Sequence, residues 1–205
     1  MNALREENRM SKKIWILFCV IIFFKSTAMA EGNLSFEAFY ANVTIIDAKN
    51  QNGGGAGMLL DLNSQLKAVL RGAYTFHEEE KYYSGREYDV TYTHSTFLAG
   101  IMYEPPVDFL SKFRFKWRNS FLCGYSHTEV KAEELRDFSS DDSGPAMALN
   151  TGLSYVYSQS YQFFVEAGLH HSFYRYEMDD SMISGVQLLA GVRYSLSDSI
   201  SLGDY

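Results

Sequence analysis

His170 and Ser172 stand two residues apart with Glu166 four residues upstream of His170, and these are the types from which a base, a nucleophile and an acid are assembled. In an extended strand all three fall on one face. The remaining histidines, His77, His94 and His127, lie in separate segments with no compact ligand spacing, so no metal is expected. Asp137-x-Ser139-x-Asp141 starts like a calcium loop but continues with Asp142 where a glycine is needed. More numerous are cations at two- and four-residue spacings: Lys67 and Arg71; Arg114, Lys116 and Arg118; and Arg193. With Glu37, Asp61 and Glu166 in the same phase, they predict a charge cluster inside a sheet structure, six positive against three negative. That chemistry is ion pairing, or a basic constriction for small anions.

The elements that position these residues are exported. Arg5, Arg9, Lys12 and Lys13 precede an apolar run from Ile14 to Phe24, and Ala28-Met29-Ala30 is a small-x-small site, so residues 1–30 read as a cleaved signal peptide. Removing them takes five basic and two acidic residues from 18 Lys+Arg and 25 Asp+Glu, leaving 13 against 23, a net charge of −10. Such a balance excludes a general nucleic-acid binder. Cys19 leaves with the signal and Cys123 is then alone, so no internal disulfide holds the mature chain. Residues 31–205 suit one domain.

Within that domain the side chains alternate. Leu66, Ala68, Leu70, Gly72, Tyr74 and Phe76 interleave with Lys67, Val69, Arg71, Ala73, Thr75 and His77, and Phe113 to Ser126 repeats the pattern with a strongly aromatic face. Read throughout, the period predicts strands over 34–46, 54–62, 66–77, 88–103, 112–126, 146–157, 161–176 and 183–196. Several exceed the ~5 to 6 residues of soluble strands and match the ~9 to 11 of strands tilted across a bilayer. Connections alternate between short turns at 63–65 and 158–160, with an intermediate one containing Pro105-Pro106, and mostly longer ones at 47–53, 78–87, 127–145 and 177–182. Tyr103, Phe113, Tyr157, Tyr161 and Tyr194 gather near the short-turn rim and Tyr88, Tyr125 and Phe173 near the other, as two aromatic girdles do. The expectation is an all-β, eight-stranded antiparallel up-and-down transmembrane barrel with both termini on the periplasmic side.

On these segments, and on fragments such as Leu98-Ala99-Gly100-Ile101-Met102-Tyr103 and Leu189-Ala190-Gly191-Val192-Arg193-Tyr194, residues 31–196 resemble the small outer-membrane barrels of the OmpX, opacity-protein and OmpA transmembrane-domain type. The tail 197–205 departs from that pattern, because such barrels usually end on an aromatic residue that closes the last membrane strand. The resemblance implies a monomer in the outer membrane of a Gram-negative bacterium, among lipid and lipopolysaccharide, inserted by the outer-membrane assembly machinery. It implies a structural and surface-interaction role rather than an enzyme, with no cofactor and no nucleic acid. Lipid A deacylase barrels use a His-x-Ser pair with a glutamate, but here the alternation turns His170 and Ser172 into the lumen, away from lipid.

Two surfaces then carry function. An eight-stranded interior is about filled by side chains, so Lys67, Arg71, Arg114, Lys116, Arg118, Arg193, Glu37, Asp61 and Glu166 read as a salt-bridge plug, with a narrow gated channel as the alternative and a lipid A-modifying enzyme as the third reading. Asp61 falls opposite Lys67 across the Asn63-Ser64-Gln65 turn, and Arg193 is expected beside Glu166. The long loops are acidic. Glu133, Glu134, Asp137, Asp141 and Asp142, with Glu78, Glu79 and Glu80 earlier and Asp179-Asp180 later, offer solvated charge, a carboxylate surface for cations bridging to lipopolysaccharide, or a contact surface for a host or surface protein.

Overall fold

A β-sheet one of whose faces is aliphatic and aromatic over eight consecutive segments, with no second apolar layer to cover it, has one way to remove its edges: closure on itself. The computed structural model shows this closure. It describes residues 33–45, 50–83, 85–132, 139–176 and 179–196; the signal segment, Glu133, Glu134, Asp137 and the tail 197–205 lie outside them. Eight strands follow in chain order: β1 (Leu34–Ile45), β2 (Asn50–Asp61), β3 (Leu66–Tyr83), β4 (Arg86–Tyr103), β5 (Phe115–Ala132), β6 (Ser139–Val156), β7 (Tyr161–Tyr176) and β8 (Asp179–Ser195). A four-residue helix, α1 (Asp108–Ser111), sits in the β4–β5 connection. Each strand pairs antiparallel with the next, and β1 pairs with β8 from Ser35 opposite Ser195 to Ile45 opposite Gly185, so the sheet is a closed up-and-down barrel.

The strands run further than their apolar alternation. β3 and β4 continue beyond Phe76 to a tight turn at Gly85, where φ is +80°, so the acids Glu78, Glu79 and Glu80 are strand residues and not a loop. Likewise β5 extends to Ala132 and β6 begins at Ser139, which places Asp141 and Asp142 on a strand, opposite Glu129 and Thr128. The expected 78–87 and 127–145 loops are corrected accordingly. Charge does not by itself mark a loop, because a ladder needs only backbone partners and strand side chains standing in water are free to be acidic. β3 to β6 are 18 residues each and β7 and β8 are 16 and 17, while β1 and β2 are 12, so the rim opposite the start of β1 is lowest at β1–β2 and higher along the other strands, β3 to β6 included. β2 also starts earlier than expected, and its glycine run is part of the ladder: a Cβ on Gly55 would meet the Phe39 ring at 2.5 Å.

Over the middle of the strands the outward phase is apolar, while the inward phase mixes charged and polar side chains with buried apolar ones such as Phe39, Leu59, Leu98, Leu122 and Phe164. Leu149, Val165 and Leu169 are 56, 61 and 61% exposed, each at the centre of the outer band. A belt of that kind suits hydrocarbon and is unsuited to water. Tyr103, Phe115, Tyr157, Tyr161 and Tyr194 ring one edge of it, and Tyr125 and Phe173 mark the other. Two girdle assignments change: Tyr88 shares the inward phase of Val90 and His94, and Phe113 lies in the turn after α1, since β5 begins only at Phe115.

An arginine at the centre of this belt should cost about 2 to 4 kcal/mol and one beyond its edge about 0 to 1. Leu149→Arg is therefore expected to lower stability strongly and Asp141→Arg hardly at all, measured by urea titration in lipid vesicles; equal costs would mean that the outer band does not face the bilayer.

Candidate functional site: the charged interior

Period-two geometry brings inward-pointing residues from several strands to one level. Glu37 on β1 is the hub. Its Oε2 accepts from Arg71 Nε at 3.0 Å and Nη2 at 2.8 Å, and its Oε1 accepts from Arg118 Nη2 at 2.6 Å and Arg193 Nε at 3.2 Å. Glu166 on β7 takes the other side of the same cations, with Arg71 Nη1 at 2.6 Å and Arg118 Nε at 2.5 Å. Arg118, Arg193, Glu37 and Glu166 are all buried. Bidentate guanidinium contacts fix geometry as well as charge. Aromatic rings complete the shell: the Arg118 guanidinium lies 4.2 Å from the centre of Phe164, and that of Arg71 lies 5.7 Å from Phe39 and 5.8 Å from Phe164. Small residues make the room, since a Cβ on Gly152 would come within 2.9 Å of Glu166 Cγ and one on Gly57 within 3.0 Å of Arg71 Cγ.

Toward the short-turn rim a second tier follows. Glu104, just past the end of β4, accepts from Arg193 Nη1 at 2.7 Å and faces Lys67 at 3.8 Å. Lys67 is also paired with Asp61, its register partner across the β2–β3 turn. Burial works against the Glu104 carboxylate, but Arg193 and Lys67 beside it outweigh that and hold its carboxyl below the usual range.

Glu104 escapes a reading by alternation because it follows the last apolar residue of its strand and precedes Pro105-Pro106. Its phase is legible all the same, two residues beyond the buried Met102. Arg114 and Lys116 move the other way. Arg114 lies in the turn before β5, exposed and with φ at +61°, and Lys116 has the inward phase of Arg118 but stands exposed at the mouth. Their expected place inside the barrel is corrected because β5 starts at Phe115, three residues later than the alternation suggested. Arg193 is also not the partner of Glu166: the β7–β8 register sets Glu166 opposite Leu189 and Arg193 opposite Gln162. Among the described residues the interior ion pairs therefore join four carboxylates (Glu37, Asp61, Glu104, Glu166) to four cations (Lys67, Arg71, Arg118, Arg193), a neutral set and not a basic one.

Above the ion pairs the interior holds a polar cluster without charge pairing, set among buried apolar side chains such as Ala41, Leu98, Leu122 and Leu189. His94 Nε2 and His170 Nε2 are 3.3 Å apart with the rings edge to face, Thr128 Oγ1 meets His94 Nδ1 at 2.8 Å, and Ser172 Oγ lies 3.0 Å from His170 Nε2 and 2.8 Å from Ser126 Oγ. His94 joins His170 although 76 residues separate them, a contact that no sequence spacing announces. A cavity of about 30 Å³ lies between this cluster and Arg71, lined by Phe39, Ala41, Leu98 and Leu189 as well as by Thr75 and Asn150. His170 and Ser172 are buried, so the His-x-Ser pair is enclosed by the barrel wall and does not meet an external acyl chain. Among the described residues no group of three or more His, Cys, Asp or Glu could hold a metal ion.

Of the acidic contact residues, Asp141 is exposed on the outer phase of β6 and Asp142 is part-buried on the inner one. They join Glu78, Glu80, Glu87, Asp89 and Glu129 near the high rim, where the Glu80 carboxylate raises that of Glu87.

No family model matches the chain, and no curated protein matches it. Solved structures do. Neisserial surface protein A covers 80% of this chain and 97% of its own at 13% identity with a TM-score of 0.57. A major outer membrane protein from Thermus thermophilus covers 81% and 100% at 13% identity, also with a TM-score of 0.57. Ail, the attachment invasion locus protein of Yersinia pestis, in complex with the heparin analogue sucrose octasulfate, covers 80% and 97% at 17% identity with a TM-score of 0.52. At such identities the likeness is one of fold, and the fold of this chain is that of the small eight-stranded outer-membrane β-barrels.

Proposed function

We propose that the chain is a monomeric outer-membrane protein that closes its own lumen with ion pairs and works through the raised rim of β3 to β6 as a surface-interaction module. The observation that carries the reading is the neutral set of four acids and four bases packed across the interior. A pore selective for anions needs unpaired positive charge at its constriction, and here each buried arginine already has a carboxylate. Support for the rim comes from its composition: residues 78–89, 127–132 and 139–145 hold eight acids (Glu78, Glu79, Glu80, Glu87, Asp89, Glu129, Asp141, Asp142) and three bases (Lys81, Arg86, Lys131). A surface of that sign fits a basic patch on a host or surface protein, or divalent cations shared with lipopolysaccharide phosphates. It does not fit a polyanion such as the ligand held by Ail. Insertion by the outer-membrane assembly machinery, with the chain ends in the periplasm, belongs to the same proposal.

Four outcomes are expected. In planar bilayers the wild type should show no steady conductance, and a stable open level of nanosiemens size would return the channel reading to first place. On intact cells an epitope inserted at Gly85 should be labelled while one at Gln159 should appear only after permeabilisation; the reverse pattern would invert the orientation. In the interior, Glu37→Gln leaves three arginines short of a partner and should cost about 3 to 5 kcal/mol. A double-mutant cycle should give about 0.5 to 3 kcal/mol of coupling for Glu166 with Arg71 and distinctly less for Glu166 with Arg193, whose partners are Glu37 and Glu104.

A further inference from the structure

The two cations that leave the interior do not become ordinary surface charge. Arg114 and Lys116 line an open cup of about 380 Å³ at the short-turn rim, with Ser111, Phe115, Tyr157 and Ser158 around them. Among the described residues neither cation has an acidic partner, and Asp108, the acid of the same connection, does not line the cup. Arg114 holds φ at +61°, a conformation that glycine adopts freely and an arginine only at a cost. Its backbone is pinned there, its N–H donating to Ser111 O at 3.1 Å and its carbonyl accepting from Val156 N at 2.8 Å. Large apolar side chains stand out from the protein here: Tyr157, which lines the cup, is 64% exposed, and in the connection that carries Arg114, Phe109 and Phe113 are 68 and 58% exposed and stacked edge to face at 5.3 Å. Cations with polar hydroxyls at one level, rimmed by exposed aromatics beside an apolar belt, match the depth profile of a bilayer interface.

We propose that this cup binds the phosphate of a phospholipid headgroup in the leaflet at the short-turn rim, with Arg114 and Lys116 on the phosphate oxygens and the acyl chains lying along Phe113, Phe115 and Tyr157. Guanidinium and ammonium groups satisfy a phosphate with charge-assisted hydrogen bonds. The aromatic rim supplies what a soluble anion would not need. The inference rests on the membrane reading above but not on which rim faces the periplasm.

The test is native mass spectrometry of the full-length protein released from mixed micelles containing phosphatidylglycerol. Wild type should retain a lipid adduct, and the double variant Arg114→Gly/Lys116→Gln should retain about tenfold less, equivalent to ~1.4 kcal/mol. Arg114→Gly alone relieves the backbone at +61°, so its urea midpoint should hold or rise while lipid retention falls, which separates lost binding from lost folding. Undiminished retention in the folded double variant would overturn the site. Complete displacement of the lipid by millimolar inorganic phosphate would overturn the commitment to a lipid, since it would mean that the cup takes a free anion. Micelles have no sidedness, so a failure here and a failure of the orientation labelled at Gly85 are distinguishable.

Discussion

In hydrocarbon each backbone N–H and C=O needs a partner within the protein, and for a sheet this means that the first strand must pair with the last. Here β1 and β8 do so over eleven register positions, with the start of β1 and the end of β8 at one rim. Closure at eight strands has a second consequence. It makes the interior so narrow that inward side chains from opposite walls touch, which is why Glu37 on β1 reaches Arg71 on β3, Arg118 on β5 and Arg193 on β8 at once. An arginine pointing into such a space cannot find bulk water and must find a carboxylate, so the number of strands dictates that interior charges come in balanced sets.

That constraint also explains what was legible in the sequence. Period-two alternation is a local property of the chain, so strand existence, phase and the inward turn of Glu37, Arg71, Arg118, Glu166 and Arg193 were readable from it. The Asp61–Lys67 pair was readable too, because a short turn fixes register across it. Partners across the lumen were not. Register accumulates around the barrel, and an expected Glu166–Arg193 contact fails because β7 and β8 are offset by four residues from that match. Strand ends were the weakest reading, since side-chain polarity stops marking a strand once it leaves the bilayer. The same ambiguity hid Glu104 and misplaced Arg114.

Charge balance in the interior has a bearing on function that the individual pairs do not show. A six-to-three excess would have favoured anions in the lumen, whereas four against four leaves the paired set with no net charge. The surplus negative charge of the chain then has to reside on its exterior, and the described acids outside the lumen concentrate on the strand extensions between Glu78 and Asp142. Inside the barrel the charges are paired across strands, and on the extensions Glu79 and Glu129 have Lys81 and Lys131 beside them.

The two rims of the molecule consequently differ in kind. At the high rim, acids on extended strands stand in water and repel one another, as the raised carboxyl of Glu87 beside Glu80 records. At the low rim, a short connection carries α1, exposed aromatics and two cations, one of them held in a backbone conformation that its side chain does not favour. Arg114 is kept in the left-handed region by hydrogen bonds to both neighbouring segments, so the guanidinium is delivered to the cup by the turn and not by a strand. Acid at one end and base at the other set a polarity along the barrel axis, and an aromatic girdle with free cations meets a phospholipid surface on better terms than an acidic rim does.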